Sequence, residues 1–193
     1  MIRPLVVAAT IACMPALATD QHLMEGAAQS PVRVIIYEDL QCPDCAVFRD
    51  MLDRELLPRY GASVRFEHRD FPLAKHAWAR KAAIAARYFD QAQPGAGLAW
   101  RKYALAHLRE ITADNFNQRL SDFTTARSLE PAKTIAALND ERLAGLVEKD
   151  YQEGVARGIA HTPTVLVNGK PFIETFTFEE VAKAIDSELA ASR

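Results

Sequence analysis

The residues Tyr37-Glu38-Asp39-Leu40-Gln41-Cys42-Pro43-Asp44-Cys45 decide how this chain folds. They join two different periodicities. Before them, Val32 to Tyr37 is a short β-branched and aromatic run suited to a buried strand. After them, Val47, Phe48, Met51, Leu52 and Leu56 recur at helical spacing, and Pro58 with Gly61 closes the element. A strand running into a helix puts both cysteines at the helix N-terminus, where unpaired N–H groups and the helix dipole stabilise an anion. The thiolate is the reactive form of cysteine, so this position favours thiol chemistry. We assign Cys42, at the helix start, as nucleophile and Cys45, one turn in, as resolving thiol. Pro43 suits the first turn, where its missing N–H costs nothing. Asp44 works against the thiolate: its carboxylate competes for the same N–H groups and repels the sulfur. It should therefore raise the Cys42 pKa and make the pair a weaker oxidant than one with His there.

Outward from this centre, Val64 to His68 reads as a second strand, ended by Phe71-Pro72. Residues 73–157 are rich in Ala, Leu, Arg and Glu, which implies consecutive helices. Trp78, Ala82, Ala85 and Phe89 line one face of the first, Gln93-Pro94-Gly95 breaks it, and Leu98 to Leu108 and Asn115 to Leu120 are shorter candidates. Asp140 caps a long helix with Leu143, Leu146, Val147, Tyr151 and Val155 on its apolar side, stopping near Gly158. Strand character returns at Thr164 to Val167 and Lys170 to Ile173, joined by the turn-forming pair Asn168-Gly169. Thr177 and Glu180 form a capping box, and Val181, Ile185 and Leu189 give the last helix its buried stripe. The expected order is strand, helix, strand, helical block, strand, strand, helix: an α/β fold.

The chain has 193 residues, 49% of them hydrophobic, enough for one compact domain with a real core. Residues 1–18 stand apart: Arg3 precedes the apolar run Leu5 to Ala12, and Ala16-Leu17-Ala18 is a small-x-small cleavage site. They read as a signal peptide cut after Ala18, followed by a polar N-terminal segment at 19–31. A retained anchor is one alternative and lipidation at Cys13 another, although Thr10 stands where lipoprotein signals carry leucine. The formal charge is −2, and losing Arg3 makes it one unit more negative, so there is no electrostatic case for nucleic acid. Losing Cys13 leaves two of the three cysteines. A disulfide between Cys42 and Cys45 closes too small a loop to staple a fold, so its value is chemical. His22, His68, His76, His107 and His161 supply no second ligand pair for zinc, and no metal site or cofactor is expected; two thiolates alone could still hold a soft ion such as copper.

Four motifs in order carry a family resemblance: Y-E-D-L-Q-C-P-D-C at 37–45, R-D-F-P-L at 69–73 with His76 following, G-I-A-H-T-P-T at 158–164 and V-N-G-K at 167–170. Together they resemble the DsbA-like thiol:disulfide oxidoreductases over nearly all of the mature chain. The resemblance implies a thioredoxin-like domain at 32–72 and 158–193, with a helical insertion at 73–157 between its βαβ and ββα halves. It implies that Pro163 is a cis-proline against the Cys42 sulfur and that Thr162 pairs with an extended substrate peptide. His76 and Trp78 fall in the insertion and are read as structural. One departure matters: many thioredoxin-fold enzymes bury an acid six residues before the first cysteine, and here that residue is Ile36. Glu38 or water then takes over proton handling, and His161 modulates the Cys42 thiolate if it points inward; a solvent-facing histidine is the alternative.

The expected activity is exchange of the Cys42–Cys45 disulfide with cysteines of exported polypeptides, in the periplasm or beyond, as an oxidase. A membrane or soluble redox partner would recycle the pair. The short N-terminal stretch leaves no room for a dimerisation domain, so a monomer is expected. The alternatives are a reductase or isomerase, and a non-enzymatic copper-binding or chaperone-like protein of the same fold.

Overall fold

The computed structural model describes residues 22–192; the leader read at 1–18, Cys13 included, lies outside the described residues. A mixed five-stranded sheet forms the centre, in the order β1-β3-β2-β4-β5. Its members are β1 (Met24–Gly26), β2 (Arg33–Glu38), β3 (Arg65–Asp70), β4 (Thr164–Val167) and β5 (Lys170–Ile173). Strands β2 and β3 are parallel, and the other pairs are antiparallel. The β4–β5 turn falls on Asn168 and Gly169, both at positive φ (44° and 94°), as the Asn-Gly pair implies.

Between β2 and β3 the chain runs through α1 (Pro43–Met51), a π-helical turn (Leu52–Leu56) and α2 (Leu57–Tyr60). Pro58 with Gly61 was expected to close this element, and the helix does end at Tyr60 with Gly61 as its C-cap, although it runs through Pro58 on the way. Pro58 has no N–H for an α-helical bond, and the Leu57 N–H reaches back to the Leu52 carbonyl, widening one turn so that the ring is accommodated. The insertion then supplies α3 (Ala79–Ala92), α4 (Ala96–Ala106), α5 (Phe116–Thr125), α6 (Pro131–Ala137) and α7 (Glu141–Ala156), and α8 (Phe178–Ala191) ends the chain. The Asp140 cap on α7 and the Thr177–Glu180 box on α8 form as read.

Strand alternation sends Val34 and Ile36 to one face, against Phe48, Leu52 and Leu56, with Val181 and Ile185 of α8 closing the core. Tyr37 faces the other way with Leu166 and Phe71, which stacks on Tyr151 of α7 with ring centroids 4.7 Å apart. The insertion has an aromatic core of its own, Trp78, Phe89, Trp100, Phe116 and Phe123, and that cluster includes Leu40, Cys42 and Cys45. The helical block is thus packed directly onto the cysteine end of α1.

Four readings need correction. Val47 and Val155 were placed on buried faces but are 67% and 46% exposed, because each lies at the margin of its helix's apolar stripe, beyond reach of the neighbouring element. The polar stretch at 19–30 contains β1, held by its backbone ladder to β3 rather than by apolar side chains. Helix α6 was not anticipated. Helix α5 runs five residues beyond Leu120, to Thr125, because Phe123 joins the aromatic core.

Candidate active site

Cys42 is the N-cap of α1, with extended backbone (φ −88°, ψ 125°), no side-chain capping bond and Pro43 next in line. Its thiol is nearly buried and donates to the Thr162 carbonyl at 3.2 Å. The Thr162–Pro163 peptide bond is cis. Cys45 is fully buried, and its Sγ accepts the Asp39 N–H at 3.4 Å.

The two sulfurs are electrostatically unlike. A hydrogen bond from Cys45 does most to lower the Cys42 pKa; burial opposes it, and the Thr162 side chain and the N–H groups of Cys45 and Asp44 add to it, leaving a value of about 6. Burial pushes Cys45 the other way, well above the usual thiol range, and a charged Cys42 beside it adds to the rise. One sulfur is therefore a thiolate near neutral pH and its neighbour a thiol. Thr162 Oγ1 is buried with no partner besides Cys42, so its hydroxyl is free to serve the Cys42 anion.

Asp39 stitches the site to the insertion. Its Oδ1 accepts the Gln41 N–H at 2.6 Å, while Oδ2 accepts the Leu73 N–H at 2.7 Å and lies 2.8 Å from His76 Nδ1. Gln41 Oε1 accepts the Trp78 N–H at 2.8 Å. A cleft of about 400 Å³ opens over Cys42, bounded by Asp44, His76, His161, Thr162 and Glu174. A larger groove of about 540 Å³ runs between Val47 and Leu108 but contains neither cysteine. Asp44 is exposed in the first turn of α1. His161 takes the solvent-facing alternative: it is exposed and lies 3.0 Å from Glu174 Oε1 across the mouth of the cleft.

Glu38 shares the sheet face of Ile36, as alternation requires, and is buried. Sequence reasoning did not find what surrounds it. In register, Glu38 lies opposite Asp70, and Ile36 opposite His68. Two carboxylates side by side need cations: Arg101 of α4 donates to Glu38 at 2.9 Å and also to Asp70, and Arg87 of α3 donates to Asp70 at 2.7 Å. His68 is fully buried, with Nδ1 2.6 Å from Glu38 Oε1 and Nε2 3.0 Å from Glu25 Oε1. Burial alone would lower the His68 pKa, yet the two carboxylates raise it. Polar residues at alternate positions of a strand, Glu38 in β2 and His68 and Asp70 in β3, were the signal available, but their partners come from elsewhere in the chain.

Comparisons with known proteins fit this geometry. The oxidised form of BdbD from Bacillus subtilis is similar over 88% of this chain and 93% of its own, with 24% identity and a TM-score of 0.76. The thiol-disulfide exchange protein α-DsbA2 from Wolbachia pipientis is similar over 86% of each chain, with 17% identity and a TM-score of 0.74. These likenesses establish the thioredoxin-type fold of the DsbA proteins. Among curated proteins, the Na(+)/H(+) antiporter NhaA 3 of Salinispora tropica is 30% identical over 175 residues, which are 90% of this chain but 26% of that protein. The chain thus spans about a quarter of the length of the curated relatives it matches. The sequence profile of the family described as Thioredoxin matches residues 18–187, and the chain belongs to the thioredoxin family.

Proposed function

We propose that this chain is an exported thiol:disulfide oxidoreductase that passes its Cys42–Cys45 disulfide to cysteines of exported polypeptides. The observation that carries the reading is the asymmetry of the pair: a Cys42 thiol lowered to about 6 beside a buried Cys45 raised well above its usual range. A substrate thiolate attacks Cys42 Sγ, the Cys42–Cys45 bond breaks, and Cys45 leaves with the electron pair and is protonated. A second substrate thiolate attacks the substrate sulfur of the mixed disulfide, and Cys42 departs as a thiolate. A stabilised thiolate is a good leaving group and favours the reduced enzyme, which supports the oxidase direction. Asp44 opposes this, but its exposure to solvent screens its charge.

Thr162 and Pro163 form the wall on which a substrate segment would lie as an added strand. The leader would deliver a monomer to the periplasm or beyond, where a redox partner reoxidises the pair. Equilibrating the purified protein with glutathione tests the direction: the couple should be more oxidising than glutathione, and a more reducing couple would make the chain a reductase or isomerase. Cys42→Ser should abolish oxidation of a reduced, cysteine-containing polypeptide, and retained oxidation would sink the exchange reading altogether.

A further inference from the structure

We propose that His76, beyond its structural part in joining the insertion to the site, is a catalytic base: its Nε2 takes the proton from a substrate thiol as that sulfur attacks Cys42. The inference rests on the exchange reading above and supplies a step that reading leaves open. A substrate cysteine is only a few per cent thiolate at neutral pH, and the thiolate is the form that attacks. The lowered pKa of Cys42 does nothing for that incoming sulfur. A base beside Cys42 removes the limit.

His76 stands where such a base is needed. Asp39 bonds to both residues: its carbonyl accepts the Cys42 N–H at 3.1 Å, and its Oδ2 lies 2.8 Å from His76 Nδ1. The Asp39 side chain is 0% exposed and also accepts the Gln41 and Leu73 N–H groups, so its carboxylate is fixed. The His76 N–H donates to the Leu73 carbonyl at 3.0 Å, which holds the backbone under the ring. A carboxylate at Nδ1 keeps the proton on that nitrogen, and the neutral ring then presents Nε2 as a bare lone pair. Among the described residues Nε2 has no hydrogen-bond partner. The ring is 15% exposed and lines the same cleft of about 400 Å³ as Cys42, formed by segments 73–76 and 160–162 with the start of α1. His161, the other histidine of the cleft, is 58% exposed and pairs with a Glu174 that is itself 46% exposed, so its ring is not held in the same way.

The step balances. The proton of the substrate S–H moves to Nε2, and the electron pair left on that sulfur forms the bond to Cys42 Sγ. The Cys42–Cys45 bond breaks, and its pair stays on Cys45. Asp39 stabilises the imidazolium that forms, and the ring, open to the cleft, passes its proton to water.

The test uses the oxidised protein, in which neither cysteine titrates, and follows its reduction by excess dithiothreitol. The second sulfur of this alkyl dithiol closes within the molecule, so the rate reads the first attack. His76→Asn keeps an N–H donor for Asp39 and removes the base. Asp44, Lys75, His161 and Glu174 also line the cleft, and Asp39 faces the ring, but both proteins carry all of them. The difference between their pH profiles therefore belongs to His76. At neutral pH, where the dithiol is mostly protonated, the variant should be slower by about tenfold or more. The two rates should converge once the pH exceeds the pKa of the dithiol, because a thiolate needs no base. A variant that matches the wild type at neutral pH, or is slowed by the same factor at every pH, overturns the role. Should His76→Asn not fold, His76→Gln is read by the same criteria. A wild-type disulfide reduced no faster than free cystine would sink the exchange reading and the role with it. A fast wild type with an unchanged variant sinks the role of His76 alone.

Discussion

At the scale of single residues, the chemistry depends on how Cys42 is kept as an anion while nearly buried. Burial penalises a thiolate, so each donor aimed at the sulfur matters, and Thr162 Oγ1 is a donor with no other partner. Thr162→Val preserves shape and removes the donor. A hydrogen bond to a charged group is worth about 1.5–3 kcal/mol, or about one to two pH units. The midpoint of the pH dependence of Cys42 alkylation should therefore rise from about 6 by roughly that much. The reduced variant should also be less stable at alkaline pH, because the lost donor no longer stabilises the folded thiolate. An unchanged alkylation profile would show that the hydroxyl does not support the sulfur. The sign extends to stability: a lowered Cys42 pKa stabilises the reduced protein at alkaline pH, an effect lost as pH falls through about 6.

At the scale of elements, how far the sequence was legible depends on how local each signal is. The helix start at Pro43, the Asn168-Gly169 turn and the Thr177–Glu180 box are each specified by a few consecutive residues, and all three form where expected. Strand β1 was hidden because Met-Glu-Gly carries no strand propensity, and β3 alone recruits it. The packing of α7 on the sheet was equally invisible, because it turns on the absence of a side chain. A Cβ at Gly154 would stand 2.7 Å from two ring carbons of Phe71 and 3.1 Å from Tyr37. The Phe71 ring is wedged between Tyr37 and Tyr151 and has nowhere to go. Gly154→Ala gains about 1 kcal/mol of helix propensity but incurs an overpacking cost of about 1–3 kcal/mol. Clash should win, giving a net loss of up to about 2 kcal/mol in urea denaturation; a stabilised variant would mean that α7 shifts freely on the sheet.

At the scale of the whole molecule, the insertion and the sheet are joined by charge as well as by apolar packing, and that joint sets the pH range of stability. Burial would raise the Glu38 and Asp70 pKa values, but the surrounding cations, Arg101 among them, outweigh it and both are lowered. Lowered carboxylates contribute stability above their unfolded range near 4, and the contribution is lost as pH falls through and below it. His68 has the opposite sign: its raised pKa stabilises fully below about 6.5 and is lost as pH rises through its folded value. Arg101 bridges Glu38 and Asp70 and so is the shared element of the joint. Removing one partner of a buried charge pair typically costs about 3–5 kcal/mol, because a charge is left behind. Arg101→Met should therefore destabilise the protein by about that amount at neutral pH. The deficit should shrink as pH falls below about 4, where protonated carboxylates no longer need the guanidinium. Urea denaturation across pH separates the two components of the loss. A deficit that stays constant with pH would reflect lost packing of the arginine stem, whereas one that shrinks in acid identifies the buried charges as the clamp that holds the insertion over Cys42 and Cys45.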